Sequence, residues 1–105
     1  MTNIVIIYNM KAELLFKERL VQGSNGFVEL VLWKLLKPVM GSAHNFKYRM
    51  VLVINGQCVL RYDNEAGKGD HKHYGAGEIA YRFESPEQLL TDFWLDVNKV
   101  RKEHE

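Results

Sequence analysis

Cysteine, proline, net charge and long apolar runs are all scarce in this chain, and each scarcity removes a class of function. The single cysteine, Cys58, cannot form an internal disulfide. Its neighbours Val59 and Leu60 predict a buried strand thiol in a reducing compartment rather than a nucleophile. Lys and Arg number 14 against 13 Asp and Glu, so the net charge of +1 exerts no global pull toward nucleic acid or membranes. Any anion binding must rest on local clusters. The apolar run near the N-terminus, Ile4 to Tyr8, is far shorter than a membrane span, and no Lys or Arg precedes it as in a signal peptide. A soluble, cytoplasmic protein without membrane contact is expected. The two prolines, Pro38 and Pro86, both fit element boundaries, and no repeat or low-complexity linker divides the chain.

What remains fits one domain over residues 1–105, in which residues 1–9 form an N-terminal edge strand or an extension and Met10 is an alternative start. With 47% hydrophobic and 26% charged residues, the composition is that of a chain able to bury a core. Strands come first. Leu14, Phe16 and Leu20 alternate with Glu13, Lys17 and Arg19 up to Gly23-Ser24-Asn25-Gly26, and Val28 to Leu35 resumes a β-rich run, which reads as a first hairpin. Asn55-Gly56 is a strong type I′ turn signal and defines a second. With these two at the turn centre, Ile54 faces Gln57, Leu52 faces Val59, Arg49 faces Tyr62 and Tyr48 faces Asp63. The open end of this hairpin then gathers Lys47, Arg49, Asp63 and Asn64.

A helix closes the chain. Ser85 is a good N-cap, Pro86 suits the first helical position, and Gln88 completes a capping-box spacing. Leu89, Leu90, Phe93, Val97 and Val100 recur at helical spacing and predict the face that covers the sheet. The fold class expected is α+β: an antiparallel sheet of about four to six strands built from hairpins and packed by a C-terminal α-helix.

Chemistry concentrates between Tyr62 and His73, read here as a connection after a strand. Gly67 and Gly69 flank Lys68 and allow its ammonium to reach a phosphate, although the spacing is not that of a P-loop and polar turns often look the same. His71 and His73 share a face if the segment is extended, with Lys72 opposite. Two histidines together support an acid/base pair, because an unperturbed imidazole near pH 6.5 offers both protonation states. They also support two ligands of a metal completed by Asp63, Asp70 or His44, or a plain surface pair. The acid/base reading needs no metal and no cofactor. Upstream, His44, Lys47 and Arg49 approach the same region through the second hairpin; the plainer alternative is solvated cations beside Asp63. Trp33 and Trp94 lie in apolar runs and are expected in the core. His104 is assigned no role.

Several segments together resemble the TumE toxin family: Lys11-Ala12-Glu13-Leu14, Val31-Leu32-Trp33-Lys34, Gly41-Ser42-Ala43-His44 with Lys47-Tyr48-Arg49, Tyr62-Asp63-Asn64-Glu65, and Gly67-Lys68-Gly69-Asp70-His71-Lys72-His73, with Tyr81-Arg82-Phe83 before the helix. The similarity runs from about Met10 to Val100, and its most specific part is the Asp-Asn…Gly-Lys-Gly-x-His-x-His segment. The resemblance implies a small prokaryotic toxin held inactive by a cognate antitoxin, itself a DNA-binding protein, and ribonuclease activity is the usual expectation for toxins of this size. On the residues, metal-independent RNA cleavage would use His71 and His73 as acid and base. Lys68 and Arg49 would contact phosphate, and Asp63 would orient a histidine. His44, Lys47, Asn64, Gly67 and Gly69 are expected to touch substrate. The alternative is a binding module whose cationic, Gly-rich face holds a protein partner or a nucleotide without chemistry. The oligomeric state stays open, a homo-oligomer included.

Overall fold

A computed structural model describes residues 3–7 and 10–104 of the chain, with side chains from Ala12 onward. Seven strands follow one another in a single antiparallel sheet whose spatial order is the order of the chain. They are β1 (Asn3–Ile7), β2 (Met10–Gln22), β3 (Gly26–Leu35), β4 (Phe46–Ile54), β5 (Gln57–Glu65), β6 (Gly69–Tyr74) and β7 (Gly77–Ala80), followed by the helix α1 (Pro86–Glu103). The class matches the expectation from the sequence. The strand count exceeds it because the histidine-bearing segment is itself paired rather than looped: Asp63 lies opposite His71 and Arg61 opposite His73. Ile4 to Ile7 does form an edge strand with β2, while Tyr8, the end of that apolar run, lies outside the described residues.

Both expected hairpins are present, and Asn55 and Gly56 take the positive φ of 52° and 76° that a type I′ turn requires. The register beyond the turn differs from the simple one. Ile54 faces Gln57 and Val53 faces Cys58, but Leu52 then faces Leu60, so that Val59 is the extra residue of a bulge. Downstream, Arg49 faces Asp63 and Met50 faces Tyr62. A one-residue shift exchanges the faces of a strand. The bulge therefore sends Leu60, Tyr62 and Asn64 to the core face and Arg61 and Asp63 to the other. Cys58, on the turn side of the bulge, is exposed, contrary to the buried thiol expected from its neighbours.

The helix covers one face only. Ser85 accepts a hydrogen bond from the Gln88 backbone N–H at 3.0 Å, as an N-cap should, whereas the Gln88 amide donates to Asp92 at 2.7 Å instead of closing a capping box. Leu89, Phe93, Val97 and Val100 are fully buried against Val28, Leu30 and Leu32 of β3, Tyr48, Met50, Leu52 and Ile54 of β4, and Leu60 and Tyr62 of β5. Trp94 packs on this cluster, edge to face with Phe93 at 5.9 Å. Among the described residues the opposite face carries no helix. No helix among the described residues is long and apolar enough to cross a membrane.

Candidate active site on the open face

Strand β6 divides its side chains between the two faces, because successive residues of a strand point opposite ways. Asp70 and Lys72 turn to the helix side, where Lys72 Nζ donates to Asp96 of α1 at 3.0 Å. His71 and His73 turn to the open face. Cross-strand pairing sets them in two rows: Val31, Arg49, Asp63, His71 and Ala80 in one, and Glu29, Val51, Arg61, His73 and Glu78 in the next.

The two imidazoles are held differently. Nδ1 of His71 lies 2.9 Å from the Gly69 carbonyl oxygen, which can only accept, so the ring proton sits on Nδ1. In the neutral ring the lone pair is then on Nε2, and Glu78 Oε1 stands 3.6 Å from it, beyond hydrogen-bond distance. His73 is oriented through its other nitrogen. A guanidinium can only donate, and Arg61 Nη2 lies 2.9 Å from His73 Nε2, which therefore accepts and leaves the proton on Nδ1. Glu78 Oε2 is 3.8 Å from that Nδ1. Arg61 is steadied in turn by Asp63, whose Oδ2 is 3.3 Å from Nε. Asp63 thus contacts an arginine rather than a histidine, and the Arg61 Nε, buried, makes no hydrogen bond among the described residues.

Next to this group the open face dips into a depression of about 400 Å³ lined by Val31, Trp33, Lys47, Tyr48, Arg49, Arg61, Asp63 and Glu65. Trp33, expected in the core, lines this depression because β3 alternates and its odd-numbered residues face away from α1. Lys47 and Arg49 arrive here as the sequence suggested, Lys47 through a hydrogen bond from Nζ to the Asn64 carbonyl. Lys68 does not line it. It stands exposed in the tight turn joining β5 to β6, where its backbone N–H donates to the Glu65 carbonyl at 3.1 Å.

Three other candidates belong to a polar cluster on the helix side. Asp70 accepts from Ser42 Oγ at 2.7 Å and from the Tyr48 hydroxyl at 2.7 Å, and faces His44 Nε2 at 2.6 Å. His44 Nδ1 accepts from the Phe46 backbone N–H at 3.1 Å, so its proton is on Nε2 and neither nitrogen is available to a substrate. Its ring stacks on Phe83 at 3.8 Å. Asn64, fully buried, donates to the Phe46 carbonyl at 2.7 Å and accepts from the Tyr48 backbone N–H at 3.0 Å. Gly69 meets the 41-region loop so closely that a Cβ would lie 2.7 Å from the Gly41 carbonyl oxygen. Gly67 donates its backbone N–H to Met40 at 2.7 Å in the same crossing. Burial and then the Asp70 carboxylate push the Tyr48 phenol well above its ordinary range; Tyr62 beside Asp96 and Tyr81 beside Asp92 are raised for the same two reasons.

Arg61 and Glu78 were not singled out from the sequence. The signal for Arg61 was its spacing of two from Asp63, which puts both on one face of any strand; Glu78 belonged to a strand that short length and two flanking glycines concealed. Among the described residues no group of three or more His, Cys, Asp or Glu side chains is arranged to hold a metal ion.

No curated protein and no solved structure matches the chain. One family model does, over residues 6–101, a span that takes in both faces of the sheet, the His71 and His73 strand and nearly all of α1. The chain belongs to the family described as toxin TumE.

Proposed function

We infer that this toxin cleaves RNA without a metal, using its open sheet face, and is restrained by a cognate antitoxin that binds DNA. The observation that carries the reading is the state of His71: the Gly69 carbonyl fixes one nitrogen and leaves the other with a lone pair, on a face that also presents Arg49 and Arg61. A base oriented through its second nitrogen is what proton abstraction needs.

In the proposed reaction His71 Nε2 removes the proton of a ribose 2′-hydroxyl, and the 2′-oxygen attacks the adjacent phosphorus. The bond from phosphorus to the 5′-oxygen breaks, and that oxygen takes a proton from His73. The products carry a 2′,3′-cyclic phosphate and a 5′-hydroxyl. His73 is poised for the second role only when Arg61 turns from its Nε2 to the phosphate and Nε2 takes up a proton from solvent, so that the imidazolium is the acid; the move of Arg61 also brings positive charge to the developing phosphorane. Asp63 holds the guanidinium at the start of that motion. Arg49, in the same row as His71, is the next cation toward the nucleotide beside that phosphate, and Lys68, at the turn tip, reaches the RNA farther along the strand.

Incubation of the purified protein with end-labelled RNA, with and without EDTA, tests this. Cleavage that survives EDTA and leaves cyclic phosphate ends is expected. EDTA-sensitive cleavage would assign the chemistry to a metal, and RNA binding without cleavage would make the chain a binding module.

A further inference from the structure

The depression beside the histidines has a pattern of charge that phosphate contacts do not require. Trp33 supplies an aromatic wall, and Arg49 and Lys47 supply donors. Glu65 supplies a carboxylate that makes no side-chain hydrogen bond or ion pair among the described residues. A carboxylate in a phosphate site is repulsive. Beside a nucleobase it is a recognition group, because it offers two acceptors side by side. At about 400 Å³ the depression falls in the usual size range of small-ligand sites, roughly 300–1,000 Å³.

We propose that this depression is a guanine subsite in which Trp33 stacks on the base, Glu65 accepts from its N1–H and N2–H groups, and Arg49 donates to its O6. The assignment among bases follows from the order of donors and acceptors. Guanine presents one acceptor and then two donors along its Watson–Crick edge. Adenine would set its amino group against the Arg49 guanidinium and its N1 lone pair against Glu65, so both contacts would be repulsive. Uracil would oppose its O2 to the same carboxylate, and cytosine would present its amino group to the cation. Single-stranded RNA exposes this edge, and splayed bases stack on aromatic side chains. The subsite is next to the chemistry: Arg49 pairs with Asp63 and Asp63 with His71, each step one strand spacing of about 5 Å. A guanosine seated here leaves its phosphate over β5 and β6. The proposal rests on the ribonuclease reading for its biological sense, but not for its test.

Calorimetric titration of the whole protein with guanosine 3′-monophosphate, and with the adenosine, cytidine and uridine 3′-monophosphates, reads base recognition without turnover. Binding of the guanosine nucleotide about 10-fold or more tighter than the others is expected, since one bidentate base contact discriminates by about that much or more. Inosine 3′-monophosphate, lacking the 2-amino group, should fall between. Glu65→Gln should erase the preference and Trp33→Ala should weaken all base binding; Glu65 is exposed at a strand end, so the first variant keeps the fold even if the second does not. Equal affinity for the nucleotides, or a preference unchanged in Glu65→Gln, would overturn the subsite. Guanosine binding in a protein that leaves RNA intact would keep the subsite and remove the ribonuclease reading. Cleavage with no base preference would do the reverse.

Discussion

The two faces of this sheet use the same kinds of side chain in opposite ways. On the helix side a histidine, an aspartate, an asparagine and a tyrosine are closed into one network: Asp70 meets three partners, His44 has both nitrogens engaged, and Asn64 bridges two strands. On the open side His71 retains an unengaged nitrogen and the Arg61 Nε lacks a hydrogen bond. Full satisfaction of polar groups stabilises a fold and makes it rigid, whereas groups left partly unsatisfied are the ones a ligand can engage. Strand β6 serves both ends with alternate residues, so neighbouring positions one residue apart should respond to mutation in different currencies.

His71→Ala is the strongest way to break the comparison. RNA cleavage should fall by about 10² or more while the melting temperature barely moves, since a positioned proton-transfer group contributes that much to rate and the side chain makes one backbone contact. His73→Ala should do likewise, and the double variant should be little worse than either single, because members of one catalytic unit are not additive. Rate measurements with parallel melts decide it; folded variants that keep near wild-type rates return both histidines to the surface.

Asp70→Ala, one residue away, should act on stability instead. It strands three donors that now meet one carboxylate, and a loss of about 3 kcal/mol is expected, a fall of roughly 10–20 °C in the melting temperature. A loss of cleavage in Asp70→Ala without any change in the melt would show that the helix-side network acts on the chemistry directly.

Tyr48→Phe is a milder form of the same test, with about 1 kcal/mol expected from one lost hydrogen bond to Asp70. It also carries a pH signature. The Tyr48, Tyr62 and Tyr81 phenols are raised in the folded state, so the fold holds their protons after the unfolded chain has released them. Their contribution is complete below the unfolded value near 10 and is lost as pH climbs above it. Urea melts from pH 8 to 11 should show stability falling above about pH 10, less steeply in Tyr48→Phe. A wild-type stability that is flat across that range would contradict the buried tyrosine–carboxylate pairs.

The smallest effect expected is that of Lys68→Ala on folding. The side chain stands exposed in a turn and its backbone contact persists, so stability should change by less than about 0.5 kcal/mol. Any loss should appear in the KM for long RNA and fade with short substrates. A large drop in melting temperature would make this turn structural through its lysine as well as its glycines.

The Asn55-Gly56 turn, the helix start and the shared face of an extended His71-Lys72-His73 are legible in the sequence because turn chemistry, capping and period-two alternation are local. Asn55-Gly56 announced its hairpin, and Ser85-Pro86 announced the helix start, from adjacent residues alone. The roles of His44, Asn64 and Gly69 were not legible in the same way. Their partners Asp70, Tyr48 and Gly41 lie 26, 16 and 28 positions off in the chain, and a polar residue beside a glycine reads as a binding residue until its buried partner is known. Trp33 lines the open face rather than the core, because an apolar run does not say which of its residues face the helix.

What the sequence determined by itself was two of the hairpins, the closing helix with its buried stripe of Leu89, Phe93, Val97 and Val100, and that His71 and His73 share a side wherever their segment is extended. Each of these follows from short-range backbone preference and hydrophobic period. Only the tertiary structure decided which side that was. The bulge at Val59 shifts β5 by one residue, which turns Arg61 and Asp63 away from α1 and into line with His71 and His73. A single unpaired residue reverses the facing of everything beyond it, and nothing in the local preferences of Cys58, Val59 and Leu60 announces it, because the shift is stabilised by burial of Leu60 and Tyr62 against a helix that begins more than twenty residues later.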